Sequence, residues 1–363
     1  MSERINLEAF FESPPYAWSR EEKHKHQINV FHQLEDFHRE HCELYRRMSA
    51  FQAQEGCLND LNDFPSVPVQ AFKKYALKSV PEEDVFKTMT SSGTTGQAVS
   101  RIFLDKDTAT LQAKALSRIL TDYLGPKRRA MLIVDTPTVL RDPRMFSARG
   151  AGILGMMNFG RAHTYALNED LTGNFDIAYE FLKAHAEEPL LIFGFTFMIW
   201  QGLYQEFVKH DVKLDLADAV LVHAGGWKKM QEYAVDNQTF KASLRERFGQ
   251  RFRVHNFYGM VEQTGSVYVE CEEGHFHVSN FSDMIIRDPL TLSPLPFGET
   301  GVIETLSVLP QSYPGFAILT EDMGVVRGED DCPCGRKGKY FEFRGRIPRA
   351  EIRGCSDVYS IGK

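Results

Sequence analysis

The sequence predicts an α/β fold, because strand-like and helix-compatible segments alternate along most of the chain. The strand-like segments are short apolar runs of the length that buried strands usually have. They cover residues 130–135, 190–195, 219–223, 253–257 and 302–306. Longer helix-compatible stretches, such as residues 107–124 and 174–186, lie between them. The chain from residue 283 onward is rich in proline, glycine and β-branched residues, which predicts a smaller β-rich subdomain.

The amino-terminal segment predicts an amphipathic helix between residues 15 and 50, because apolar residues recur there at helical spacing. The recurring positions are Ile28, Phe31, Leu34, Phe37, His41 and Leu44. His38 and Cys42 lie four residues apart, a spacing at which two side chains of one helix can share a metal ion. No clear third and fourth ligands accompany the pair, so packed imidazoles on a solvated helix face are the favoured interpretation.

Length and composition indicate a globular protein of about two domains, since a domain has roughly 150 residues. The chain has 363 residues, of which 43% are hydrophobic, enough for a sizeable core. We predict a helical amino-terminal segment over residues 1–85 that packs on an α/β core over residues 86–282. The β-rich subdomain and a tail would then occupy residues 283–363.

Charge and hydropathy exclude several classes of protein. The chain has 49 acidic and 42 basic residues, a net charge of −7, so an overall electrostatic case for binding nucleic acid or anionic membrane is absent. The first residues lack the features of a signal peptide, and the most apolar run, residues 190–200, is shorter than the ~20 residues that span a bilayer. Six cysteines in such a chain indicate reduced thiols, metal ligands or thiol chemistry. We therefore predict a cytoplasmic protein without a membrane span or a nucleic-acid partner.

A run of hydroxyl residues and glycines lies between two strand-like segments. It consists of Ser91, Ser92, Gly93, Thr94, Thr95 and Gly96. Glycines let the backbone approach a phosphate, and hydroxyl and amide groups donate hydrogen bonds to its oxygens. The run is not a Walker A loop, because the Gly-Lys-Ser/Thr sequence is missing. Taken alone, such a run is typical of a surface turn, so its interpretation depends on the rest of the chain.

The hydroxyl and glycine run resembles the phosphate-binding loop of adenylate-forming enzymes, the superfamily of acyl-CoA synthetases, luciferases and peptide-synthetase adenylation domains. Further blocks that resemble this superfamily follow in the same order. They are Ala224, Gly225, Gly226, Trp227; then Asn256, Phe257, Tyr258, Gly259, Met260, Val261, Glu262; then Thr320, Glu321, Asp322; and finally Gly345, Arg346. The resemblance implies ATP and Mg²⁺ as cofactors and places nucleotide contacts in each block.

The resemblance also implies a role for individual residues. Gly225 and Gly226 would lie on the adenine side, and the aromatic residue before Gly259 would stack on adenine. Glu262 would reach the magnesium ion, and Asp322 would hold the ribose hydroxyls. Arg346 belongs to the segment that resembles the Gly-Arg hinge of the superfamily.

Within the superfamily, the chain is similar to the acyl-protein synthetases, the LuxE-type family that supplies activated fatty acid to the fatty acid reductase of luminescence. The segments that carry this similarity are residues 72–74, 91–105, 193–196, 223–229 and 351–356. The resemblance covers almost the whole chain and implies a core like the amino-terminal domain of adenylate-forming enzymes. Because the chain stops at Lys363, soon after the hinge, we expect the mobile carboxy-terminal domain to be missing. This expectation weakens the interpretation as a CoA ligase.

Cys355, in the sequence Arg-Gly-Cys-Ser, is the acyl acceptor that the resemblance implies. A thiolate can attack an acyl adenylate to form a thioester, and Arg349 and Arg353 lie close enough in sequence to lower the pKa of the thiol. The implied function is ATP-dependent activation of a fatty acid, transfer to Cys355 and delivery to an acyl reductase or acceptor protein. Two alternatives stay open: a truncated acyl-CoA or acyl-carrier ligase, and a non-catalytic nucleotide-binding scaffold.

A second set of side chains has the composition of a zinc site. Cys332 and Cys334 form a tight pair on a turn, and Cys271 lies upstream with His275 and His277. A Cys₃His set is within the usual repertoire of structural zinc, although the Cys-x-Cys spacing is shorter than the common one. Sequences like the phenylacetate-CoA ligases have similar blocks, and that similarity favours His277 over His275. We predict structural zinc, with reduced structural cysteines as the alternative.

Overall fold

The structure is a computed structural model of the chain. It describes residues 5–52, 58–91, 99–140, 148–227 and 232–347. These residues form two compact units. The first unit comprises residues 5–52, 58–91, 99–123 and 259–347, and the second comprises residues 124–140, 148–227 and 232–258. The three-part division by sequence stays a prediction. Among the helices of the described residues, none is both long and apolar enough to cross a bilayer.

The described elements include the five strands that the sequence predicted. The α-helices are α1 (Glu8–Glu12), α2 (Arg20–His41), α3 (Glu43–Gln52), α4 (Ala71–Lys74), α5 (Lys106–Leu124), α6 (Ala148–Met157), α7 (Phe175–Ala184), α8 (Thr196–Ile199), α9 (Gln205–Lys209) and α10 (Asn237–Phe248). The strands are β1 (Val67–Pro68), β2 (Lys87–Thr90), β3 (Arg101–Leu104), β4 (Arg129–Val134), β5 (Gly160–Tyr165), β6 (Pro189–Phe195), β7 (Asp218–Ala224), β8 (Arg253–Tyr258), β9 (Tyr268–Glu270), β10 (Phe276–His277), β11 (Ser282–Arg287), β12 (Gly301–Ser307), β13 (Ala317–Glu329) and β14 (Lys339–Arg346). Short 3₁₀ turns lie at Leu61–Asp63, Glu82–Asp84, Pro137–Leu140 and Val261–Gln263.

The second unit is built on a parallel sheet with the strand order β5, β4, β6, β7, β8. Strand β4 is buried along its whole length, and β6 and β7 are buried except at their first residues. Parallel strands covered by helices have apolar residues on both faces, which explains the unbroken apolar runs in the sequence. Leu132, Ile192 and Leu221 lie in its core. The predicted α/β fold is confirmed.

The helix after β6 contains a widened turn that the sequence did not predict. A π-helical segment, Trp200–Tyr204, separates α8 from α9. The Trp200 ring stacks on Tyr204 with 4.3 Å between ring centroids and packs on Phe240 at 5.7 Å. A single π turn inside an α-helix is rare. Here it coincides with the packing of these large aromatic rings.

The first unit contains an antiparallel sheet with the strand order β11, β12, β13, β14, β10, β9. Strand β1 pairs with β13 in parallel, and β2 and β3 form a separate hairpin. Strands β11 to β14 account for the β-branched and glycine-rich end of the sequence. Helix α2 contacts β11, where the Gln27 side-chain amide donates to the Ser282 carbonyl at 3.0 Å and Lys23 Nζ lies 3.3 Å from Asp283 Oδ2.

The amino-terminal helix is present, but it is divided. Helix α2 begins at Arg20 because Ser19 and Glu22 form a capping box, and it ends before Cys42, whose backbone is extended at φ −127° and ψ 98°. Helix α3 then continues the segment. The prediction of one helix over residues 15–50 is therefore wrong in its continuity, because a single extended residue ends the hydrogen-bond pattern. His38 is buried and its ring bonds to the Ser79 hydroxyl at 2.8 Å, which agrees with a packed imidazole.

Candidate functional site

The base of the predicted phosphate loop lies on the hairpin of β2 and β3. The Ser91 N–H donates to the Ser100 carbonyl at 3.2 Å, and the Ser100 N–H donates to the Ser91 hydroxyl at 2.9 Å. These two bonds close the hairpin at the point where the loop leaves it. The other loop residues, Ser92, Gly93, Thr94, Thr95 and Gly96, lie outside the described residues.

Glu262 lies on a 3₁₀ turn of the first unit and is 95% buried, since its exposed fraction is 5%. The turn is held from two sides. The Tyr313 hydroxyl donates to the Glu262 carbonyl at 2.8 Å, and the side-chain amide of Gln263 donates to the Gly315 carbonyl at 2.9 Å. Burial is the main reason that the pKa of Glu262 is raised, and the Ser100 hydroxyl and the Lys73 charge act in the opposite direction. The carboxyl group therefore occupies a rigid, poorly hydrated position.

Asp322 and Arg346 face each other across β13 and β14, where they are directly paired in register. The Arg346 Nε atom lies 3.3 Å from Asp322 Oδ1. The Asp322 N–H donates to the Thr320 hydroxyl at 3.1 Å, and that hydroxyl donates to the Ile303 carbonyl at 2.7 Å. The charge of Asp322 also contributes to the raised pKa of Glu262.

These residues define a carboxylate cluster in the first unit, made of Glu262, Glu321 and Asp322. Lys73 accompanies it, with its Nζ atom 3.8 Å from Glu321 Oε2. The sequence singled out Lys73 only as part of a family motif and assigned it no role. Its position beside the cluster depends on tertiary contacts that no local pattern reports.

The glycine block follows strand β7 in the second unit. Gly225 has a φ of +78°, which a glycine adopts without strain. The Thr196 hydroxyl bonds to the Gly225 carbonyl at 2.6 Å and to His223 Nδ1 at 2.8 Å. A hydroxyl has one proton, so donation to Gly225 means that His223 Nδ1 carries the hydrogen of the second bond. Burial lowers the pKa of His223 to about 3, which keeps its ring neutral.

The block that contains the predicted adenine-stacking residue lies at the end of β8. Asn256 and Phe257 pair in register with His223 and Ala224 of β7. The carboxyl ends of neighbouring parallel strands meet at one edge of a sheet, where ligands bind in open α/β folds. The structure therefore brings Gly225, Gly226, Asn256, Phe257 and Tyr258 to one edge of the second unit.

A buried ion pair lies at the same edge and was missed in the sequence. Asp135 directly follows β4, and its Oδ2 atom lies 3.2 Å from Arg149 Nε, with both side chains 1% exposed. Burial, opposed by Arg149, raises the pKa of Asp135 to about 6. An aspartate directly after the apolar run of residues 130–134 is the signal that would have found it.

The four residues predicted to bind zinc come together in the first unit. Their ligand atoms all lie within 4.8 Å of one another, in the set Cys271, His277, Cys332 and Cys334. The Cys271 and Cys332 sulfurs are 4.0 Å apart, and Cys334 Sγ is 3.2 Å from His277 Nε2. With Zn–S bonds of about 2.3 Å, two sulfurs of a tetrahedral site lie about 3.8 Å apart. The donor set and its spacing therefore fit a zinc ion.

Cys355, the predicted acyl acceptor, lies outside the described residues.

Gly259 is described and directly follows β8, and a Cβ atom there would come within 3.3 Å of the Val267 side chain. Apart from Ser91 and Gly259, the described site residues form three groups: the carboxylate cluster with Arg346, the strand-end residues of the second unit, and the Cys/His set.

The fold is that of the amino-terminal domain of adenylate-forming enzymes. It matches 2-hydroxyisobutyryl-CoA ligase, solved in an open conformation with 2-HIB-AMP and CoA, with a TM-score of 0.68 and 16% sequence identity over 99% of this chain and 81% of that chain. It also matches a long-chain-fatty-acid-CoA ligase from Archaeoglobus fulgidus, with a TM-score of 0.51 and 15% identity over 81% of this chain and 57% of that chain. The protein thus has the fold of an adenylate-forming ligase.

The chain belongs to the family described as acyl-protein synthetase, LuxE, whose sequence profile matches residues 2–361. The long-chain-fatty-acid–luciferin-component ligase of Vibrio harveyi is 22% identical over 361 residues, which cover 95% of this chain and 90% of that protein. The ligase of the same name from Aliivibrio fischeri is 24% identical over 357 residues, which cover 95% of this chain and 91% of that protein. The predictions of the family and of a ligase are confirmed.

Proposed function

We propose that the protein activates a long-chain fatty acid with ATP and passes the acyl group to Cys355. In the first step a carboxylate oxygen attacks the α-phosphorus, a new P–O bond forms, and pyrophosphate leaves with the electrons of the broken P–O bond. In the second step the Cys355 thiolate attacks the acyl carbonyl carbon, a C–S bond forms, the C–O bond breaks and AMP leaves. The names of the two relatives support the fatty acid as substrate.

The observation that carries the adenylation step is that one helix, α4, contacts both the turn of Glu262 and the residue next to Asp322. Its Phe72 ring packs on Tyr313, whose hydroxyl donates to the Glu262 carbonyl, and its Lys73 Nζ atom lies 3.8 Å from Glu321 Oε2. The family resemblance assigns Glu262 to magnesium and Asp322 to the ribose. A buried carboxylate is a hard oxygen ligand of the kind that magnesium prefers. Mg²⁺ bound by Glu262 would neutralise charge on the ATP phosphates.

The remaining nucleotide contacts are proposed from the resemblance together with the local geometry. They comprise Ser91, Ser92, Gly93, Thr94, Thr95, Gly96, Gly225, Gly226, Asn256, Phe257, Tyr258, Gly259 and Arg346. The hydrogen bonds between Ser91 and Ser100 and the Thr196 contact to Gly225 support these assignments, because both hold a loop at its base.

We also propose that the thioester is delivered to an acyl reductase or another acceptor protein of a luminescence pathway in the cytosol. The words "luciferin component" in the names of both relatives support such a partner. A zinc ion bound by the Cys/His set would be structural, because three thiolates and an imidazole leave no open coordination position.

The proposed function is tested with radiolabelled fatty acid, ATP and Mg²⁺. We expect fatty-acid-dependent pyrophosphate exchange and a protein-bound label that hydroxylamine removes. Soluble acyl-CoA formed with added CoA, without labelled protein, would instead indicate the acyl-CoA ligase. The absence of both pyrophosphate exchange and protein-bound label would indicate the non-catalytic scaffold.

The acceptor is tested with Cys355→Ser, because a serine hydroxyl is essentially un-ionised at neutral pH and is a far weaker nucleophile than a thiol. We expect pyrophosphate exchange to persist while the hydroxylamine-sensitive label is lost. Cys42→Ser is the control, since Cys42 is buried at the break between α2 and α3. A label that survives in Cys355→Ser would show that another residue is the acceptor.

A further inference from the structure

The short helix α4 is held beside the carboxylate cluster by strand β1. Pro68 of β1 is paired with Leu319 of β13, and the Val69 N–H donates to the Leu319 carbonyl at 2.9 Å. The Gln70 side-chain amide, directly before the helix, donates to Glu321. Helix α4 therefore begins next to the part of β13 that carries the cluster.

Phe72 anchors the same helix to the turn that carries Glu262. Its side chain is fully buried, and its ring packs edge-on against Tyr313 with 6.2 Å between centroids. The Tyr313 hydroxyl in turn donates to the Glu262 carbonyl at 2.8 Å. Tyr313 thus contacts both the Phe72 ring of α4 and the backbone of Glu262, the proposed magnesium ligand.

The ammonium group of Lys73 is carried by α4, the same helix that is held beside Glu321 and Tyr313 by these contacts. Its side chain is 13% exposed, and its Nζ atom is 3.8 Å from a carboxylate oxygen of Glu321. Its positive charge also opposes the rise in the pKa of Glu262 that burial causes. Lys74, the next residue on the same helix, is exposed. Burial of an ammonium group costs free energy unless anionic groups surround it, so the cluster stabilises Lys73 in this position.

We propose that Lys73 binds the α-phosphate of ATP and stabilises its charge during adenylation. The inference rests on the proposed function, in which Glu262 holds magnesium at the phosphates and Asp322 holds the ribose. In ATP the α-phosphate joins the ribose to the β-phosphate. Lys73 contacts the residue next to Asp322, and its helix packs on the tyrosine that bonds to the Glu262 backbone, so its ammonium group is placed for the phosphate between them.

The ammonium group acts by charge and hydrogen bonding, without giving up a proton. As the fatty-acid oxygen approaches the α-phosphorus, negative charge is distributed over the non-bridging oxygens and the leaving pyrophosphate. A preorganised donor in a poorly hydrated site stabilises that charge more than water does. Lys73 is thus a catalytic residue of the first step and has no part in the transfer to Cys355.

The test compares Lys73→Met with Lys74→Met, which removes the neighbouring exposed charge from the same helix. We expect Lys73→Met to lower kcat for pyrophosphate exchange by roughly 10²–10³-fold, the usual effect of losing one donor to a developing charge. Lys74→Met should exchange like the wild type. When synthetic dodecanoyl adenylate is supplied, Lys73→Met should acylate itself at the wild-type rate, because that substrate bypasses the first step.

Two results would overturn the role of Lys73: unchanged exchange in Lys73→Met, or an equal loss of exchange and of acylation from dodecanoyl adenylate. If Lys73→Met fails to fold, Lys73→Met combined with Glu321→Gln removes both charges of the ion pair. A folded double variant that lacks exchange supports the proposal, and one that exchanges like Glu321→Gln alone overturns it. Absence of exchange in the wild type would instead contradict the proposed function.

Discussion

At the scale of single residues, the most unusual side chains are those that are charged and fully buried. Asp135 and Arg149 form such a pair at the end of β4, with each side chain 1% exposed. A buried ion pair contributes little net stability while intact, but the loss of one partner leaves an uncompensated charge in the interior. The pair therefore makes the free energy of unfolding depend on pH.

The sign of that dependence follows from the Asp135 pKa. Burial raises it to about 6 in the folded protein, whereas an unfolded aspartate has a pKa of about 3.9. The folded state then binds the proton more tightly, so this group makes the protein more stable as the pH falls from about 6 toward about 4. Above about pH 6 the stabilisation by this group is lost.

Arg149→Met should lower the free energy of unfolding by about 3–5 kcal/mol at neutral pH, because Asp135 loses its cation. Acidification to about pH 5 should recover more stability in the variant than in the wild type, since protonation removes the uncompensated charge. Urea unfolding at both pH values measures this. The double variant Arg149→Met with Asp135→Asn is the control, and it should lack the additional pH dependence. A pH response equal to that of the wild type would contradict the assignment.

At the scale of elements, the Cys/His set connects two turns of the first unit. Cys271 follows β9 and His277 ends β10, while Cys332 and Cys334 lie on the turn between β13 and β14. The Gly335 N–H donates to the Cys332 carbonyl at 3.0 Å, and Gly335 has a φ of +83°. These features form a tight turn that contains Cys332 and Cys334. A metal there would tie the β9–β10 hairpin to the turn between β13 and β14.

We expect about one zinc per chain in protein purified without chelator, because four ligands saturate a tetrahedral ion. Cys332→Ser combined with Cys334→Ser should lose the metal and lower the free energy of unfolding, since binding free energy of a structural metal contributes to folding. Elemental analysis and thermal unfolding measure both effects. Cys42→Ser is the matched control and should keep the metal. An unchanged, substoichiometric zinc content in the double variant would contradict the site.

At the scale of the whole molecule, a nucleotide that binds only the folded chain stabilises all of it. ATP at about 100 times its Kd should raise the free energy of unfolding by about 2.7 kcal/mol in the presence of Mg²⁺. Asp322→Asn should require more ATP for the same increase, because the contact to the ribose is weakened. Glu262→Gln should lose most of the magnesium dependence. Thermal unfolding over a range of ATP concentrations measures both, and curves that coincide with the wild type would contradict the assignments.

The sequence was most informative about elements that have a clear hydrophobic pattern along the chain. The alternation of apolar runs predicted β4, β6, β7, β8 and β12 within two residues of their observed bounds. Strand β5 and the π turn at Trp200–Tyr204 were not predicted, because neither has an apolar period of its own. The break at Cys42 was missed for a similar reason, since a single extended residue leaves the helical pattern on both sides intact.

By itself, the sequence determined the family, the α/β class and the four residues of the Cys/His set. These depend on residue identity and spacing along the chain. Only the tertiary structure decided that Lys73 lies beside Glu321, that Asp135 meets Arg149, and that Thr196 holds both His223 and Gly225. Such contacts join residues that lie 14 to 248 positions apart in these pairs. They arise from strand order and packing, and the burial that comes with packing makes their charges and hydrogen bonds strong enough to matter.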